Sequence, residues 1–194
     1  MRVVRGGLCA VACASTLLLA GCGASTQGVP IASGGSSTSG TAATAVASGP
    51  GEPFDPCTIP KDAVTASGLD VSTERADFAG ITTYPGWKGC TWDASGANAW
   101  YYLSVLSSIN SIDEYLRSPQ NQRQVPVKVG SRDAVQYNAD YQGDPPTGCD
   151  IVLDASGNLI ILVVDTIGSE DTLGDPCLEV RKHATDLVAY LPSE

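Results

Sequence analysis

The sequence predicts an α+β domain in which hairpins build one antiparallel sheet and helices pack on one side of it. Short segments rich in β-branched and aromatic residues alternate with turn residues along most of the chain. Two of these turns share the residues Asp-Ala-Ser-Gly, at 93–96 and 154–157. The C-terminal segment instead repeats its apolar residues at helical spacing. Hairpin-linked strands with a few helices are typical of the α+β class.

The first predicted elements are a helix, a strand and a hairpin. A helix is predicted over 60–67, because a proline fits its first turn and Gly68 fits the position after its last turn. A strand is predicted over 71–78. Two further strands, over 89–93 and 98–107, flank the first Asp-Ala-Ser-Gly turn, and the second of them is rich in Trp, Tyr, Leu and Val.

The middle of the chain continues with a helix and two strands. The sequence Ser-Ile-Asp-Glu at 111–114 is a capping box that opens a helix, and this helix ends near Pro119. Strands are predicted over 125–129 and 133–138, with a turn at Gly130 between them.

The last predicted elements are a second hairpin and a helix. Strands over 149–154 and 158–165 flank the second shared turn, and the latter is apolar almost throughout, which is typical of a central strand covered on both faces. Asp175 as N-cap and Pro176 as the first helical residue open the last helix. The apolar stripe of this helix consists of Val180, Ala184, Leu187, Val188 and Leu191.

The N-terminus has the features of a bacterial lipoprotein signal. Two arginines precede an apolar stretch over 8–20, which is shorter than the roughly 20 residues that a membrane-spanning helix needs. This stretch ends in Leu-Ala-Gly-Cys at 19–22, the lipobox pattern. We therefore predict a signal peptide over 1–21, and diacylglyceryl and palmitate groups on Cys22. The alternative is an ordinary secretory signal with a chance cysteine.

The rest of the chain divides into a linker and a single domain. Residues 22–53 comprise the acylated cysteine and a linker of Gly, Ser, Thr and Ala that carries no charge before Glu52. Such a linker is flexible and has a reach of roughly 30 Å. Residues 54–194 are predicted to form one α+β domain. The protein is thus expected on the outer face of the cytoplasmic membrane, held by its lipid anchor.

The charge balance limits the possible partners. The chain has 11 Lys and Arg against 21 Asp and Glu, a formal net charge of −10. Nucleic acid is excluded as a partner, because binding to phosphates rests on basic side chains. Loss of the two signal-peptide arginines leaves 9 basic residues and a net charge of −12. This charge repels anionic lipid headgroups and disfavours docking flat on the membrane.

Four cysteines lie in the domain, and in an exported protein they indicate two disulfides with three possible pairings. Cys90 and Cys149 stand three and five residues before their turn aspartates, so strand alternation places both on the same face. We hypothesise that Cys90 pairs with Cys149 across neighbouring hairpins, and Cys57 with Cys177. A zinc site is disfavoured because the chain has no Cys-x-x-Cys pair.

Catalytic chemistry has little support in the sequence, which contains neither a Gly-x-Ser-x-Gly motif nor a glycine-rich phosphate loop. Glu179, His183 and Asp186 share one face of the last helix and could hold a divalent metal for hydrolysis. The simpler interpretation is a solvated helix face, with Arg181 and Lys182 nearby. We favour this second interpretation, and we predict no cofactor and no enzymatic activity.

Aromatic residues give the only candidate contacts for a ligand. Tyr84 and Trp87 flank a Pro-Gly loop, and such loops run over the surface, where aromatic rings can stack on a sugar or a protein partner. The alternative for Trp87 is packing at the rim of the core. Trp92 and Trp100 lie on the first predicted hairpin, and we assign them to the core.

Cysteine-centred motifs give the chain a family resemblance. Phe-Asp-Pro-Cys at 54–57, Gly-Cys-Thr-Trp at 89–92, Cys149, and Asp-Pro-Cys at 175–177 occur in that order after a Ser/Thr/Gly linker. In these features the chain resembles the uncharacterised lipoproteins of mycobacteria and related actinobacteria, a family with a domain of unknown function. The resemblance implies an envelope lipoprotein with two disulfides, and it supplies no catalytic residues.

These observations together predict a binding, accessory or sensor module of the cell envelope. Its expected partners are the membrane, through the lipid anchor, and an envelope protein, glycan or lipid as ligand. The rival hypothesis is a metal-assisted hydrolase of the envelope that uses Glu179, His183 and Asp186.

Overall fold

The structure of the protein is a computed structural model. It describes residues 51–76, 84–97, 99–139, 143, 145–168 and 171–193. The predicted signal peptide, the predicted acylation site Cys22 and nearly all of the predicted linker lie outside the described residues. Among the described residues, no helix combines the length and the apolar character needed to cross a membrane.

Seven antiparallel strands form one sheet, in the order β1-β2-β3-β7-β6-β5-β4. This architecture confirms the predicted α+β fold with an antiparallel sheet built of hairpins. The strands are β1 (Leu69–Arg75), β2 (Trp87–Ala94), β3 (Tyr101–Ser108), β4 (Asn121–Val129), β5 (Arg132–Ala139), β6 (Gly148–Ala155) and β7 (Asn158–Thr166).

In the part of the chain that the structure describes, three α-helices, α1 (Lys61–Ala66), α2 (Ile112–Leu116) and α3 (Pro176–Leu187), pack on the sheet. Helices α1 and α3 cover one face, where their apolar residues join Trp92, Leu103 and the other large side chains of the main core. Helix α2 packs on the opposite face, which was not expected. The reason is topological: β3 and β4 lie four positions apart in the sheet, so the chain that links them must cross a face.

Strand β7 lies at the centre of the sheet, between β3 and β6. Six consecutive residues, from Leu159 to Val164, are buried. They alternate between the core under α1 and α3 and the core under α2. The prediction of a central strand covered on both faces is therefore confirmed, as is the burial of Trp92 and Trp100.

Most helix boundaries follow from the predicted signals. Asp175 caps α3, because its side chain accepts a hydrogen bond from the backbone N–H of Cys177 and Pro176 occupies the first helical position. Gly68, just beyond α1, has a φ of +91°, a conformation that glycine adopts without strain. At α2, Ser111 is the N-cap residue but makes no side-chain capping bond. Strand β4 starts four residues earlier than predicted.

The two disulfides join Cys57 to Cys90 and Cys149 to Cys177, with Cα–Cα distances of 5.2 and 5.0 Å. The hypothesised pairing was wrong. Cys90 and Cys149 do point to the same face, as strand alternation requires. However, β3 and β7 lie between their strands, so three strand spacings separate them, about 14 Å. A disulfide cannot form when the Cα atoms are more than about 7 Å apart.

Both disulfides are built in the same way, on the sequence Asp-Pro-Cys. At 55–57 and at 175–177 the aspartate side chain accepts a hydrogen bond from the backbone N–H of the cysteine, at 3.0 and 2.8 Å. Cys57, in a 3₁₀ turn over Pro56–Thr58, and Cys177, in the first turn of α3, are half-buried, and each bonds to a fully buried cysteine on a strand. The sequence shows this motif twice, and the cysteine of each Asp-Pro-Cys bonds to one of the two strand cysteines.

Candidate functional site

His183 lies on α3 and is fully buried against the sheet. Its Nδ1 atom is 2.7 Å from Ser67 Oγ, at the end of α1, and its Nε2 atom is 2.9 Å from the hydroxyl of Tyr101 on β3. The prediction of a solvated helix face was therefore wrong for this residue. The predicted apolar stripe of α3 left out His183. A histidine whose two ring nitrogens both have hydrogen-bond partners can nevertheless be part of a core.

Two carboxylates flank this histidine through the same hydroxyl groups. Ser67 Oγ donates to Asp186 Oδ2 at 3.1 Å, and the Tyr101 hydroxyl donates to Glu179 Oε2 at 3.1 Å. Hydroxyl groups thus stand between His183 and both acids. Among the described residues, no group of three or more His, Cys, Asp or Glu side chains could hold a metal ion. The three residues considered for metal-assisted hydrolysis therefore do not form a ligand set.

Burial also sets the protonation state of this network. Desolvation lowers the pKa of His183 to about 4, with the charge of Lys182 acting in the same direction, so the imidazole is neutral at pH 7. Burial raises the pKa of Tyr101, as does the charge of Glu179. A neutral imidazole has a single N–H and each hydroxyl a single O–H, so the hydroxyl that accepts from the imidazole donates to its carboxylate, and the other shares its proton between the second ring nitrogen and its carboxylate. We interpret the network as a clasp that joins α1, β3 and α3.

The opposite sheet face, which carries α2 and is here called the α2 face, has a different character. Residues that are paired across neighbouring strands point to the same side. One row across this face consists of Thr91, Ser104, Val163, Asp150 and Tyr137, on β2, β3, β7, β6 and β5. All five side chains are buried, and Asp150 is only 2% exposed.

The rows on either side of this mixed row differ sharply from each other. Under α2, the next row carries Leu106, Ile161, Val152 and Val135, which belong to the apolar cluster of this face. On the other side lies a row that we call the polar row, which carries Asp93, Tyr102 and Asp165, all only partly buried. Helix α2 is about 7.5 Å long, whereas seven strands span about 29 Å, so α2 covers only part of the face.

A chain of aromatic rings leads from Trp87, the first residue of β2, toward Asp150. The rings of Trp87 and Tyr115 lie 6.2 Å apart, as do those of Tyr115 and Tyr137. The hydroxyls of Tyr115 and Tyr137 are 2.8 Å apart. Burial raises the pKa of Tyr137, and the negative charge of Asp150 raises it further, as does a hydrogen bond between the two side chains.

A second tyrosine approaches the same carboxylate from the polar row. Burial raises the pKa of Tyr102, and so do the charge of Asp165 and its hydrogen bond with Tyr102, while Asp150 adds a smaller contribution. The positive charge of Arg75, which forms an ion pair with Asp93 at 2.9 Å, lowers the pKa of Tyr102 and so acts in the opposite direction. We call Tyr115, Tyr137, Asp150, Tyr102 and Asp165 the tyrosine–aspartate band.

The structure answers part of the prediction for the two aromatic residues of the Pro-Gly loop. Trp87 is half-buried and packs on Tyr115, at one end of the ring chain that leads to the tyrosine–aspartate band. Tyr84 is 47% exposed. Trp87 therefore has the rim packing that was the alternative, and it also borders the candidate site.

The sequence analysis missed the tyrosine–aspartate band. One signal was available, because Asp150 is an acid inside a buried apolar strand. Strand alternation places it on the face opposite Cys149 and Ile151. What the sequence could not give was the pairing of β6 with β5 and β7, which brings Tyr137 and Val163 beside Asp150.

A separate cavity of about 360 Å³ lies between the β4–β5 turn and the C-terminal residues, and its lining includes Val129, Arg132 and Leu191. Arg132 donates to the backbone carbonyl oxygen of Pro192 at 2.9 Å and to that of Asp154. These bonds fasten the C-terminal segment to the sheet. We assign a structural role to Arg132.

Comparison with known proteins identifies a family. Neither a curated protein nor a solved structure matches the chain. A family model described as "Protein of unknown function (DUF3558)" matches residues 17–190, which include every strand and helix described above. The chain therefore belongs to the DUF3558 family of proteins of unknown function.

Proposed function

We propose that this protein is a lipid-anchored binding module of the bacterial cell envelope and that its ligand contacts the α2 face. The observation that carries the proposal is Asp150, a carboxylate that is 2% exposed in the middle of a sheet face. An apolar residue at this position would extend the cluster under α2. Asp150 forms a hydrogen bond with Tyr137 and raises the pKa of that tyrosine, and perturbed titratable groups cluster at functional sites.

The chemistry of the band indicates which ligands fit it. Carboxylates only accept hydrogen bonds, and the tyrosine rings beside them offer flat apolar surfaces. The partly buried pair of Tyr102 and Asp165 lies next to Asp150, so a ligand could reach the band from the polar row. A ligand with hydroxyl or amine donors and an apolar side fits this arrangement, as a glycan does.

Binding rather than catalysis is the function that the described geometry supports. His183, the chain's one histidine, is fully buried in the clasp on the other face of the sheet. Metal-assisted hydrolysis by Glu179, His183 and Asp186 has no specific observation in its favour, so we do not propose it.

A saccharide and amine titration tests the site. Tryptophan emission of the purified, acylated protein in detergent micelles would be followed while neutral disaccharides, amino sugars and simple primary amines are added. Trp87 contacts Tyr115 and should report binding at the band. Asp150→Asn should weaken binding roughly 10- to 100-fold, because a charge-assisted hydrogen bond contributes about 1.5–3 kcal/mol.

Asp133→Asn is the matched control for this titration. Asp133 lies on β5, its side chain is 92% exposed, and its partner is Lys128 in a surface ion pair. Exposed pairs of this kind contribute little, so the variant should bind as the wild-type protein does. Absence of binding by the wild-type protein at millimolar concentrations of every probe would contradict the proposed site, as would unchanged binding by Asp150→Asn.

The membrane anchor is tested separately through Cys22. Support for the anchor comes from the Leu-Ala-Gly-Cys sequence at 19–22 and from the uncharged linker that follows. An alkyne analogue of palmitate, fed to cells, should label the wild-type protein and place it in the membrane fraction. Cys22→Ala should be unlabelled, since the acylated thiol is gone. Equal labelling of both proteins would show that Cys22 is not the acylated residue.

A further inference from the structure

The linker joins the domain at one particular end of the sheet. The backbone N–H of Phe54 donates to Asn158 Oδ1 at 2.9 Å, and Asn158 is the first residue of β7. Glu52 forms an ion pair with Lys88, the second residue of β2, at 3.8 Å. The last residues of the linker therefore lie where β2 and β7 begin and where β3 ends.

Three apolar side chains lie at the same end, two of them exposed and the third, Trp87, partly buried. Tyr84 is 47% exposed and is joined to Trp87 by a turn, in which the Trp87 N–H donates to the Tyr84 carbonyl oxygen. Trp87 is paired with Ser108, and Ser108 Oγ donates to the Gly86 carbonyl oxygen at 2.8 Å. Ile109, which follows, is 49% exposed. We call Tyr84, Trp87 and Ile109 the linker-end patch.

We propose that the linker-end patch docks on the interface of the lipid bilayer to which the protein is anchored. This inference rests on the lipid anchor at Cys22 that we propose above. Tryptophan and tyrosine favour the headgroup region, because their rings are apolar and their N–H or O–H groups are polar. The three residues of the patch carry no charge.

The length of the linker explains why this end, and not the other, meets the membrane. A linker that joined the opposite end would have to run along the length of a strand, which for about eight residues is roughly 26 Å. This distance would use most of the linker's reach of roughly 30 Å. A linker that ends at the patch leaves the patch nearest the bilayer. Tethering also gives a high effective concentration, so a weak contact is sufficient.

Net charge disfavours the other ways of lying on the membrane. The mature chain has a net charge of −12, from 9 basic and 21 acidic residues, and acidic faces are repelled by anionic headgroups. At the linker end the charge of Glu52 is balanced by Lys88, its ion-pair partner, so this pair adds no net charge to a contact through the linker-end patch. The repulsion is avoided in the test by the use of phosphatidylcholine, whose headgroup is neutral overall.

The test uses the acylated full-length protein in phosphatidylcholine vesicles with brominated acyl chains, which quench tryptophan emission on contact. Trp92 is 0% and Trp100 is 8% exposed, so quenching reports on Trp87. The wild-type protein should lose at least a quarter of its emission relative to vesicles without bromine. Tyr84→Ser with Ile109→Ser should reduce this loss at least threefold, because the reporter remains while the apolar contacts are removed.

Leu173→Ser with Leu178→Ser is the matched control. These leucines are 64% and 61% exposed and flank the start of α3, where Gly174 faces Trp100 beside the first residue of β3. They therefore lie at the other end of β3 from Ile109. This variant should be quenched as the wild-type protein is.

Equal quenching of both double variants, or no quenching of a wild-type protein that floats with the vesicles, would overturn the docking. Failure of the wild-type protein to float would overturn the anchor itself.

Discussion

Replacement of Cys149 and Cys177 by serine should lower the free energy of unfolding by about 3.5 kcal/mol, and replacement of Cys57 and Cys90 by a similar amount. In the chain-entropy description a cross-link stabilises the protein by lowering the entropy of the unfolded chain, and this stabilisation grows slowly with ring size. The two rings have sequence separations of 28 and 33 residues and do not overlap. Urea denaturation of the purified full-length protein in detergent micelles gives these values.

Separate rings have a further consequence. Because neither disulfide encloses the other, the four-serine variant should lose about the sum of the two effects, roughly 7 kcal/mol. Since whole domains are stable by only about 5–15 kcal/mol, this variant should be largely unfolded at 37 °C. A much smaller combined loss would show that the two cross-links restrict the same part of the unfolded chain.

A thiol count distinguishes the observed pairing from the one first hypothesised. Serine at both strand positions, Cys90 and Cys149, removes one partner from each observed disulfide. The remaining cysteines, Cys57 and Cys177, should then react as free thiols in unfolded protein. If these two were instead bonded to each other, the variant would show no free thiol, and the observed pairing would be wrong.

His183 should make the protein less stable in acid by about 3 kcal/mol. Burial lowers the pKa of His183 from 6.5 to about 4 in the folded protein. Between these values the unfolded chain binds a proton that the folded chain does not, so stability is full above pH 6.5 and falls as the pH drops toward 4. A shift of this size corresponds to about 3 kcal/mol. Urea denaturation at pH 7 and at pH 4 measures the difference.

His183→Gln isolates this effect, because the chain has one histidine and carboxylates also titrate in this range. Glutamine keeps a donor and an acceptor for Ser67 and Tyr101 but takes up no proton in this range. The variant should be less stable than the wild-type protein at pH 7, where a fitted hydrogen-bond network is lost. Its additional loss on going to pH 4 should be smaller by about 3 kcal/mol. The same acid loss in both proteins would show that His183 is not the group responsible.

Local signals in the sequence predicted the secondary structure well. Turn residues and alternation located the two Asp-Ala-Ser-Gly hairpins, and the N-cap aspartate with its proline located the start of α3. The buried apolar run in β7 predicted the centre of the sheet. These features were predictable because each depends on neighbouring residues, whose preferences the sequence shows directly.

The candidate site was far less predictable. Glu179, His183 and Asp186 suggested a metal site through their helical spacing, but spacing on one helix gives no information about the elements that pack against it. Ser67 and Tyr101, which occupy the imidazole nitrogens, come from positions 116 and 82 residues away. The tyrosine–aspartate band likewise combines residues of α2, β3, β5, β6 and β7, which only the sheet order brings together.

By itself, the sequence determined the fold class, the order of the elements and the face to which each strand cysteine points, because strand alternation and helix caps are local properties. Only the tertiary structure decided which cysteines bond and which side chains surround His183 and Asp150. The reason is distance across the sheet. Two residues on the same face can be one strand apart or three, and the strand order that separates these cases results from the packing of the whole chain.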